Sequence, residues 1–371
     1  MVLKGKVLKI LCVMDSHLGE LHNIVPMFFH WGNNGELKSC HIDFVYIGHS
    51  LNASIIQEEL DILRPFVTFN LTVLPIVSPR ISSINKLVNF LLLSIRYVFF
   101  RTYGLTFIPY DQRHVFNIVF TLGSGKLVAV PHTTGDEVYS AGVFKNRNMR
   151  SKKGFPVLTK STASSEYFLA LGFKDLIVTG KYFECQQYLD VIHPPEDVKD
   201  EAKKLCVFTL TRTTKLFSEK SWLQVHHDIL VSAVEAGFSS VFIKTHPSQP
   251  KEELDDLVVF AEKLSIKMLL VSGNPSVAAS RFDIFITVLT SAGQHAKSVG
   301  KPVCCFASAS MREEVADFGN DPYPYKNLGV TELVSQKDLV QWLGDSNDLN
   351  VRSDSIKRSG LLSLEQLCQL C

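Results

Sequence analysis

The stretch VLKILCV at residues 7–13, followed by ELHNIVPMFFH at 20–30 and IDFVYI at 42–47, decides the fold of this chain. The first and third segments are short apolar runs typical of buried strands, whereas the second has apolar residues at helical spacing. The order repeats at once, with a predicted helix at Ser54–Leu63 and a predicted strand at Val67–Leu74. This alternation predicts a parallel sheet with helices on its faces.

The alternation continues along the chain with one interruption. Two further strands are predicted at Leu127–Val130 and Leu176–Val178, and then Asp190–Lys204 forms a Pro-containing, charged run without an apolar pattern. Beyond it we predict strands and helices at Cys206–Leu210, Trp222–Ala236, Ser240–Ile243, Glu252–Leu264, Lys267–Val271, Asp283–Ile286, Gly293–Val299 and Val303–Phe306. The sequence therefore predicts an α/β fold of two tandem, Rossmann-like, doubly wound domains with a ligand cleft between them. We place the domains at 1–190 and 205–349, and expect a C-terminal helix within 350–371 to pack back across their junction.

Composition limits the classes of partner. Of the 371 residues, 46% are hydrophobic and 20% are charged, a globular balance that excludes wholesale disorder. Lys and Arg number 38 against 37 Asp and Glu, so a net charge of +1 disfavours nucleic-acid binding. Among the eight cysteines, only Cys368 and Cys371 have Cys-x-x-Cys spacing, and no second pair completes a zinc site. We predict no bound metal and a reducing compartment.

The apolar stretch Leu87–Phe100 is the segment most suggestive of a membrane contact. It is shorter than the roughly 20 residues that cross a bilayer and contains Arg96, so no transmembrane span is predicted. A buried core helix is the favoured interpretation, while the neighbouring Lys86 and Arg101 leave open a helix lying on an anionic membrane surface. The run Ile10–Met14 is too short for a signal peptide. We therefore predict a cytoplasmic location, with peripheral contact at the inner face of the membrane as the alternative.

A phosphate could bind where a predicted strand of the second domain ends in Lys244-Thr245-His246-Pro247. The ammonium and the imidazole can both face a phosphate, and Pro247 lacks an N–H group that would close the turn. A purely structural histidine is the alternative, because lone histidines at strand ends are often hydrogen-bonded within the protein.

A second candidate phosphate site begins at Thr290 and Ser291, which follow a predicted strand. Gly293 and His295 belong to the same segment, Thr-Ser-Ala-Gly-Gln-His-Ala, which opens a predicted helix. Hydroxyls and backbone N–H groups at such a position can hold an anion. An ordinary helix cap is the alternative interpretation.

Two further loops carry candidate phosphate-binding and catalytic residues. Arg212 and Lys215 lie among hydroxyl residues after the first strand of the second domain and suit a nucleotide phosphate. In the first domain, His132, Asp136 and Glu137 follow a predicted strand, and one of them could act as a general base. A solvated acidic turn explains the latter segment equally well.

Three other histidines need assignment. His17 follows the first strand, where it could contact an acceptor or a donor sugar. His226 and His227 are adjacent in a predicted helix, so they face different sides and cannot form a metal-binding pair. We predict that both lie on the surface.

Together these segments resemble the donor domain of GT-B glycosyltransferases, and most closely the bacterial capsule and lipopolysaccharide enzymes that include CMP-Kdo and CMP-sialic acid transferases. The resemblance rests on His246-Pro247 after a strand, on the pair Thr290-Ser291 about forty residues later, and on Gly-Lys-Pro-Val at 300–303. It covers mainly Val130–Phe306. It implies that His246, Thr290 and Ser291 bind the nucleotide phosphate.

The chain departs from this pattern at two places. Sialyltransferase-like members use an acidic motif ending in Gly as the base, whereas here the order is Gly135-Asp136-Glu137, so the base could be Asp136 or Glu137. His295 stands near the position where many GT-B enzymes have a Glu that binds the donor ribose. The second departure weakens the case for a UDP-sugar donor.

The leading hypothesis is an inverting, metal-independent glycosyltransferase that needs no cofactor and moves a sugar from a nucleotide-activated donor, preferably CMP-linked, to a glycan or glycolipid acceptor of a surface polysaccharide. The alternatives are a non-hydrolysing epimerase of the UDP-N-acetylglucosamine 2-epimerase type and a polyol-phosphate transferase, whose first-domain histidine would be His132. A non-catalytic binding protein is a further alternative, because folds often outlive their activities.

Overall fold

A computed structural model shows two compact units, each built on a fully parallel β-sheet. The helices of each unit follow strands in the order expected for strand–helix–strand repeats. The structure describes residues 7–14, 19–48, 53–75, 103–109, 126–131, 156–161, 165–166, 168–169, 173–180, 182, 185–192, 203–212, 216–246, 249, 251–271, 274–317, 321–325, 330–348 and 361–370.

The first unit contains a sheet of seven strands in the order β3-β2-β1-β4-β5-β6-β7. Its strands are β1 (Leu8–Met14), β2 (Cys40–Gly48), β3 (Thr68–Pro75), β4 (Leu105–Pro109), β5 (Lys126–Val130), β6 (Val157–Thr159) and β7 (Leu176–Val178). The described residues of this part of the chain form the helices α1 (Gly19–Asn33), α2 (Ala53–Asp61) and α3 (Gln186–Ile192). The order reverses between β1 and β4, which is the topology of a doubly wound sheet.

Helix α1 forms the aromatic centre of the first unit. Phe28 and Trp31 are fully buried, three residues apart on one face of the helix. The ring of Phe28 meets those of Phe44 on β2 and Phe107 on β4 edge to face, at centroid distances of 6.0 and 5.6 Å. These contacts hold α1 against the centre of the sheet.

The second unit contains a sheet of six strands in the order β10-β9-β8-β11-β12-β13. Its strands are β8 (Leu205–Phe208), β9 (Ser240–Lys244), β10 (Lys267–Val271), β11 (Ile284–Thr287), β12 (Val303–Phe306) and β13 (Thr331–Leu333). The remaining helices among the described residues are α4 (Glu219–Glu235), α5 (Asp255–Lys263), α6 (Pro275–Arg281), α7 (Gly293–Ser298), α8 (Ala309–Asp317), α9 (Gln336–Asp348) and α10 (Leu364–Leu370).

The last helix, α10, belongs to the first unit, although it follows the second unit in sequence. The residues before it attach it through the backbone of Leu362. The indole N–H of Trp31 donates to the carbonyl oxygen of Leu362 at 2.9 Å, and the hydroxyl of Tyr182 donates to the same oxygen. The N–H of Leu362 donates to the carbonyl oxygen of Thr179 at 3.1 Å. The chain therefore leaves the first unit, builds the second and returns.

The predicted fold class, α/β with two doubly wound sheets, is confirmed. The predicted helix at Glu252–Leu264 begins instead with a 3₁₀ turn at Lys251–Leu254. The sequence patterns did not predict β4, β6 or β13, which have three to five residues, although strands of the same length such as β7 were predicted. The predicted helix Leu87–Phe100 lies outside the described residues, and the domain limits stay predictions. Among the described helices, none combines the length and apolarity of a membrane span.

A buried ion pair fixes the outer edge of the second sheet. The guanidinium of Arg312, only 3% exposed, contacts the Glu332 carboxylate on β13 at 2.8 Å and donates to the carbonyl oxygen of Ala307 at 3.2 Å. Glu332 also accepts a hydrogen bond from the backbone N–H of Tyr325 at 2.7 Å. The pair therefore ties α8, β13 and the segment 321–325 together.

We expect Glu332→Leu to destabilise the protein by about 3–5 kcal/mol, because it leaves the Arg312 guanidinium buried without its counter-charge. The double variant Arg312→Met/Glu332→Leu should recover most of this loss, because both charges are gone. Asp61→Asn, which removes an exposed pair with Arg64 at 2.6 Å, should cost about 1 kcal/mol or less. Urea unfolding of the variants measures each difference, and equal losses for Glu332→Leu and Asp61→Asn would contradict the assignment.

Candidate functional site

Strand β8 lies at the centre of the second sheet, between β9 and β11. The strand order reverses between β8 and β11, and open parallel sheets bind ligands at the carboxyl ends of the strands beside such a reversal. We call the residues leaving these three strands, 209–212, 244–246 and 288–291, the switch-point edge.

Buried side chains of α4 hold the exit of β8. The indole N–H of Trp222 donates to the carbonyl oxygen of Leu210 at 3.0 Å. The His226 ring stacks on Trp222 at 3.9 Å between ring centroids, and its Nδ1 lies 2.7 Å from the carbonyl oxygen of Trp222. On its other side, Nε2 of His226 lies 2.8 Å from Oγ1 of Thr209. These contacts fix the loop that leaves β8 against α4.

The prediction that His226 lies on the surface is wrong, since its side chain is 1% exposed. The helix buries a stripe through Trp222, Val225, Ile229 and Ala233, and His226 stands four residues after Trp222 on the same face. Burial lowers the pKa of His226 to about 4, because the charged ring loses its hydration there. The neutral ring must donate from Nδ1, since a carbonyl oxygen only accepts, and therefore receives the hydroxyl proton of Thr209 at Nε2.

The end of β9 brings Lys244 and His246 to the switch-point edge. The Lys244 side chain is 5% exposed, and its Nζ donates to the carbonyl oxygen of Thr245 at 2.9 Å. His246 is half-buried, and its carbonyl oxygen accepts from the N–H of Gln249 at 2.9 Å. This hydrogen bond folds the chain into a turn directly after the strand.

The loop after β11 is strained. Leu289 has φ +50°, a left-handed conformation that costs a bulky residue about 1–3 kcal/mol. The carbonyl oxygen of Thr290 accepts from the hydroxyl of Thr287 at 2.7 Å and also from the hydroxyl of Tyr325. Ser291, next in the chain, is half-buried. The surrounding hydrogen bonds hold Thr290 and Ser291 at the edge despite the strain.

Gly293 permits this loop to pack closely. A Cβ atom at this position would lie 2.8 Å from Cγ2 of Thr287 and 2.9 Å from the hydroxyl oxygen of Tyr325. The candidate role of Gly293 is therefore close packing beneath Thr290 and Ser291.

Two predicted phosphate ligands, Arg212 and His295, make ion-pair or hydrogen-bond contacts with other residues of the protein. Nη1 of Arg212 contacts the Asp256 carboxylate at 2.8 Å and donates to the carbonyl oxygen of Glu253 at 3.2 Å. His295 is 1% exposed, and its Nδ1 lies 2.7 Å from the hydroxyl of Ser276 on α6. The structure thus gives Lys244, His246, Thr290 and Ser291 positions at one edge, while Arg212 and His295 have structural contacts that a ligand would have to replace.

Two glutamines that were not predicted as ligands carry buried amide atoms without a hydrogen-bond partner in the described part of the chain. These atoms are Nε2 of Gln294, in α7, and both side-chain polar atoms of Gln249, after the His246 turn. A buried polar atom without a partner costs about 1–3 kcal/mol, so such atoms mark places where a further group can bind. In the sequence, both glutamines stand close to predicted phosphate ligands, and this position was the signal that could have identified them.

Other predicted site residues have no described placement. Within the described residues, no three His, Cys, Asp or Glu side chains are grouped to hold a metal ion. The predicted residues that lie outside the described ranges are His17, His132, Asp136, Glu137, Lys215 and Pro247.

No protein-family model matches this sequence, and a search of curated proteins gives no match either. Solved structures with similar folds include UDP-GlcNAc 2-epimerase from Methanocaldococcus jannaschii in complex with UDP-GlcNAc and UDP, at a TM-score of 0.62 and 14% identity, covering 93% of this chain and 95% of that one. The Neisseria meningitidis UDP-GlcNAc 2-epimerase bound to UDP-GlcNAc matches at 0.61 and 12%, with coverages of 93% and 95%. Phytolacca americana UGT2, complexed with UDP-2fluoro-glucose and pterostilbene, matches at 0.52 and 10%, with coverages of 91% and 91%.

These similarities show the fold, a two-domain α/β architecture of the GT-B kind. The nucleotides named for these neighbours are uridine nucleotides, and none of the three is a CMP-sugar enzyme. The CMP-Kdo and CMP-sialic acid details of the sequence resemblance therefore gain no support from them.

We expect Gly293→Ala to destabilise the protein by about 1–3 kcal/mol, because the new methyl group overpacks against Thr287 and Tyr325. Gly344→Ala is the matched control: nothing lies within 4 Å of its Cβ, and alanine there should stabilise α9 by about 0.5–1 kcal/mol. Thermal unfolding of both variants measures the difference, and a neutral Gly293→Ala would contradict the close packing.

We also expect the stability to depend on pH through His226. In the unfolded chain this ring is protonated near its ordinary pKa of 6.5, whereas in the folded chain it is protonated only near pH 4. The neutral ring's contribution to the free energy of unfolding is therefore present above pH 6.5 and is lost as the pH falls towards 4. The loss between pH 7 and pH 5 should be about 2 kcal/mol, measured as the part of the urea-unfolding pH dependence that His226→Gln abolishes. His227→Gln, at a less buried ring, should remove a smaller part. Identical pH profiles for the protein and His226→Gln would overturn this account.

Proposed function

We propose that this chain is an enzyme that acts on a nucleotide sugar and holds the nucleotide phosphates at the switch-point edge. The observation that carries the proposal is the placement of Lys244, His246, Thr290 and Ser291, which end or follow the two strands flanking β8. An ammonium, an imidazole and two hydroxyls are groups that donate hydrogen bonds to phosphate oxygens.

The same groups suit the release of a nucleotide from a sugar. When the bond between the anomeric carbon and the phosphate oxygen breaks, negative charge develops on the departing nucleotide. The Lys244 ammonium and the His246 imidazole can stabilise that charge, and hydroxyls already fixed by the fold need little reorganisation. The unpartnered amides of Gln249 and Gln294 offer further hydrogen bonds beside them.

Epimerisation of a UDP-N-acetylhexosamine is the first candidate reaction. It is supported by the likeness to UDP-GlcNAc 2-epimerases, which extends over 93% of this chain and exceeds the likeness to the plant UGT2. This reaction breaks and remakes a C–H bond of the sugar ring, so it requires an acid and a base in addition to the phosphate ligands. It needs neither an acceptor nor a metal ion.

Inverting sugar transfer is the second candidate, favoured by the motif at 244–247 and the pair Thr290-Ser291. Asp136 or Glu137 would take the proton of an acceptor hydroxyl, and His17 would contact a sugar. In a polyol-phosphate transferase, His132 would take the catalytic role. A glycan or glycolipid acceptor and peripheral membrane contact belong to this second candidate.

The two reactions differ in whether the nucleotide sugar reacts alone. We expect the protein in D₂O to exchange a ring hydrogen of UDP-GlcNAc and to form a second UDP-sugar, both followed by proton NMR. Turnover that begins only when a glycan acceptor is added would support the transferase instead. Calorimetric titration with UDP, CMP, CDP and GDP then identifies the nucleobase that the protein prefers.

His246→Ala should weaken binding of the preferred nucleotide about tenfold, which corresponds to the loss of one hydrogen bond to phosphate, roughly 1.4 kcal/mol. His227→Ala is the control, because that ring stacks on Phe260 at 3.8 Å and belongs to no predicted phosphate motif. Binding without turnover would support a non-catalytic protein. Absence of binding to every nucleotide and nucleotide sugar would overturn the proposal.

A further inference from the structure

Arg212 stands on the loop that leaves β8, at the switch-point edge. The register pairs Phe208, the last residue of β8, with Lys244, the last residue of β9, and the N–H of Thr209 donates to the carbonyl oxygen of Lys244 at 3.3 Å. The loops after the two strands therefore leave the sheet side by side. Arg212 thus belongs to the edge at which the proposed function places the nucleotide phosphates.

The guanidinium of Arg212 is paired with an exposed carboxylate. Its Nη1 contacts the carboxylate of Asp256, in α5, at 2.8 Å and donates to the carbonyl oxygen of Glu253 at 3.2 Å. The Arg212 side chain is 16% exposed, whereas that of Asp256 is 62% exposed. Ion pairs with exposed carboxylates contribute little to stability, because water and salt screen them. A stronger anion can therefore replace Asp256 at Arg212.

One hydrogen-bond donor of Arg212 is unused. Its Nε is buried and has no hydrogen-bond partner among the described residues, since the Glu219 carboxylate lies 3.7 Å away, beyond hydrogen-bond length. The donors of an arginine form a planar fork that matches two oxygens of a phosphate. A buried donor without a partner is unfavourable, so a phosphate that accepts from Nε gains an interaction that Asp256 leaves unmade.

Arg312, in the same unit, shows the contrasting case of an arginine held entirely by the fold. It is 3% exposed, and all three of its nitrogens donate hydrogen bonds: Nε to the carbonyl oxygen of Ala307 at 3.2 Å, Nη1 to that of Pro322, and Nη2 to the Glu332 carboxylate at 2.8 Å. Arg212 has an unpartnered Nε and an exposed carboxylate partner instead. This difference indicates that the contact with Asp256 is replaceable.

We propose that Asp256 is the resting partner of Arg212 and competes with the nucleotide phosphate for its guanidinium. When a nucleotide binds, the guanidinium leaves the Asp256 carboxylate and donates to the phosphate through Nε and a terminal nitrogen. Trp222 and His226 hold the backbone just before Arg212, so the transfer needs only a change in its side-chain torsions. This role of Asp256 rests on the proposed function, to which it adds a residue that lowers the affinity for the nucleotide.

Calorimetric titration of the whole protein with UDP, CMP, CDP and GDP tests this role. Asp256→Asn keeps the shape of the side chain and removes its charge, so it should tighten binding of the preferred nucleotide about two- to fivefold, the range expected for losing an exposed ion pair. Asp255→Asn is the matched control, because it removes the same charge from the neighbouring exposed residue. It should leave the affinity nearly unchanged.

A second pair of variants tests whether Asp256 acts through Arg212. Arg212→Gln should weaken binding about tenfold, because the phosphate loses a charged donor. The double variant Arg212→Gln/Asp256→Asn should bind as Arg212→Gln does, since the competition no longer has an object.

Three results would overturn the proposal. If Asp256→Asn binds no more tightly than Asp255→Asn, Asp256 does not compete with the nucleotide. If the gain from Asp256→Asn persists in the Arg212→Gln background, Asp256 repels the nucleotide directly and not through Arg212. If the unmodified protein and the variants bind none of the four nucleotides, the proposed function fails and this role of Asp256 fails with it, whereas the first two results leave the proposed function intact.

Discussion

The hydrogen bonds between α4 and the exit of β8 constrain everything built on the second sheet. Strand β8 is central, so the chain leaving it must turn before it meets the loops after β9 and β11. Trp222 and His226 hold that turn by binding Leu210 and Thr209 from a fully buried position. Because protein interiors are close-packed, such a constraint cannot relax without disturbing the helix that imposes it.

A second set of contacts reaches the same edge at the loop after β11. The ion pair of Arg312 and Glu332 fixes the segment that carries Tyr325, and Tyr325 in turn binds the carbonyl oxygen of Thr290. The strained Leu289 lies between these fixed points. Strain of this kind persists only where the surroundings determine the backbone, and it is concentrated at functional sites in many proteins. The shape of the candidate site therefore depends on buried side chains outside the predicted motifs.

Much of the architecture was predictable from local pattern, since the longer strands and α1 and α4 carry clear apolar periodicity. Short strands such as β6 and β13 were not, because their pairing is decided by neighbours distant in sequence. The positions of Lys244, His246, Thr290 and Ser291 after strands were predictable because polar residues after an apolar strand stand out, and their role as phosphate ligands stays a prediction. The burial of His226 was not predicted, because two adjacent histidines give no signal of their own and the stripe through Trp222 decides which of them faces the core.

The attachment of residues 361–370 to the first unit has a consequence for how the protein is made. During synthesis, the indole of Trp31 and the hydroxyl of Tyr182 emerge from the ribosome long before Leu362, the residue whose carbonyl oxygen they share. The second unit, by contrast, is complete in sequence before that residue appears. The unit that begins first is thus completed after the second. A cell that halts translation before Leu362 is made releases a chain whose second unit can fold while its first unit still lacks its closing contacts.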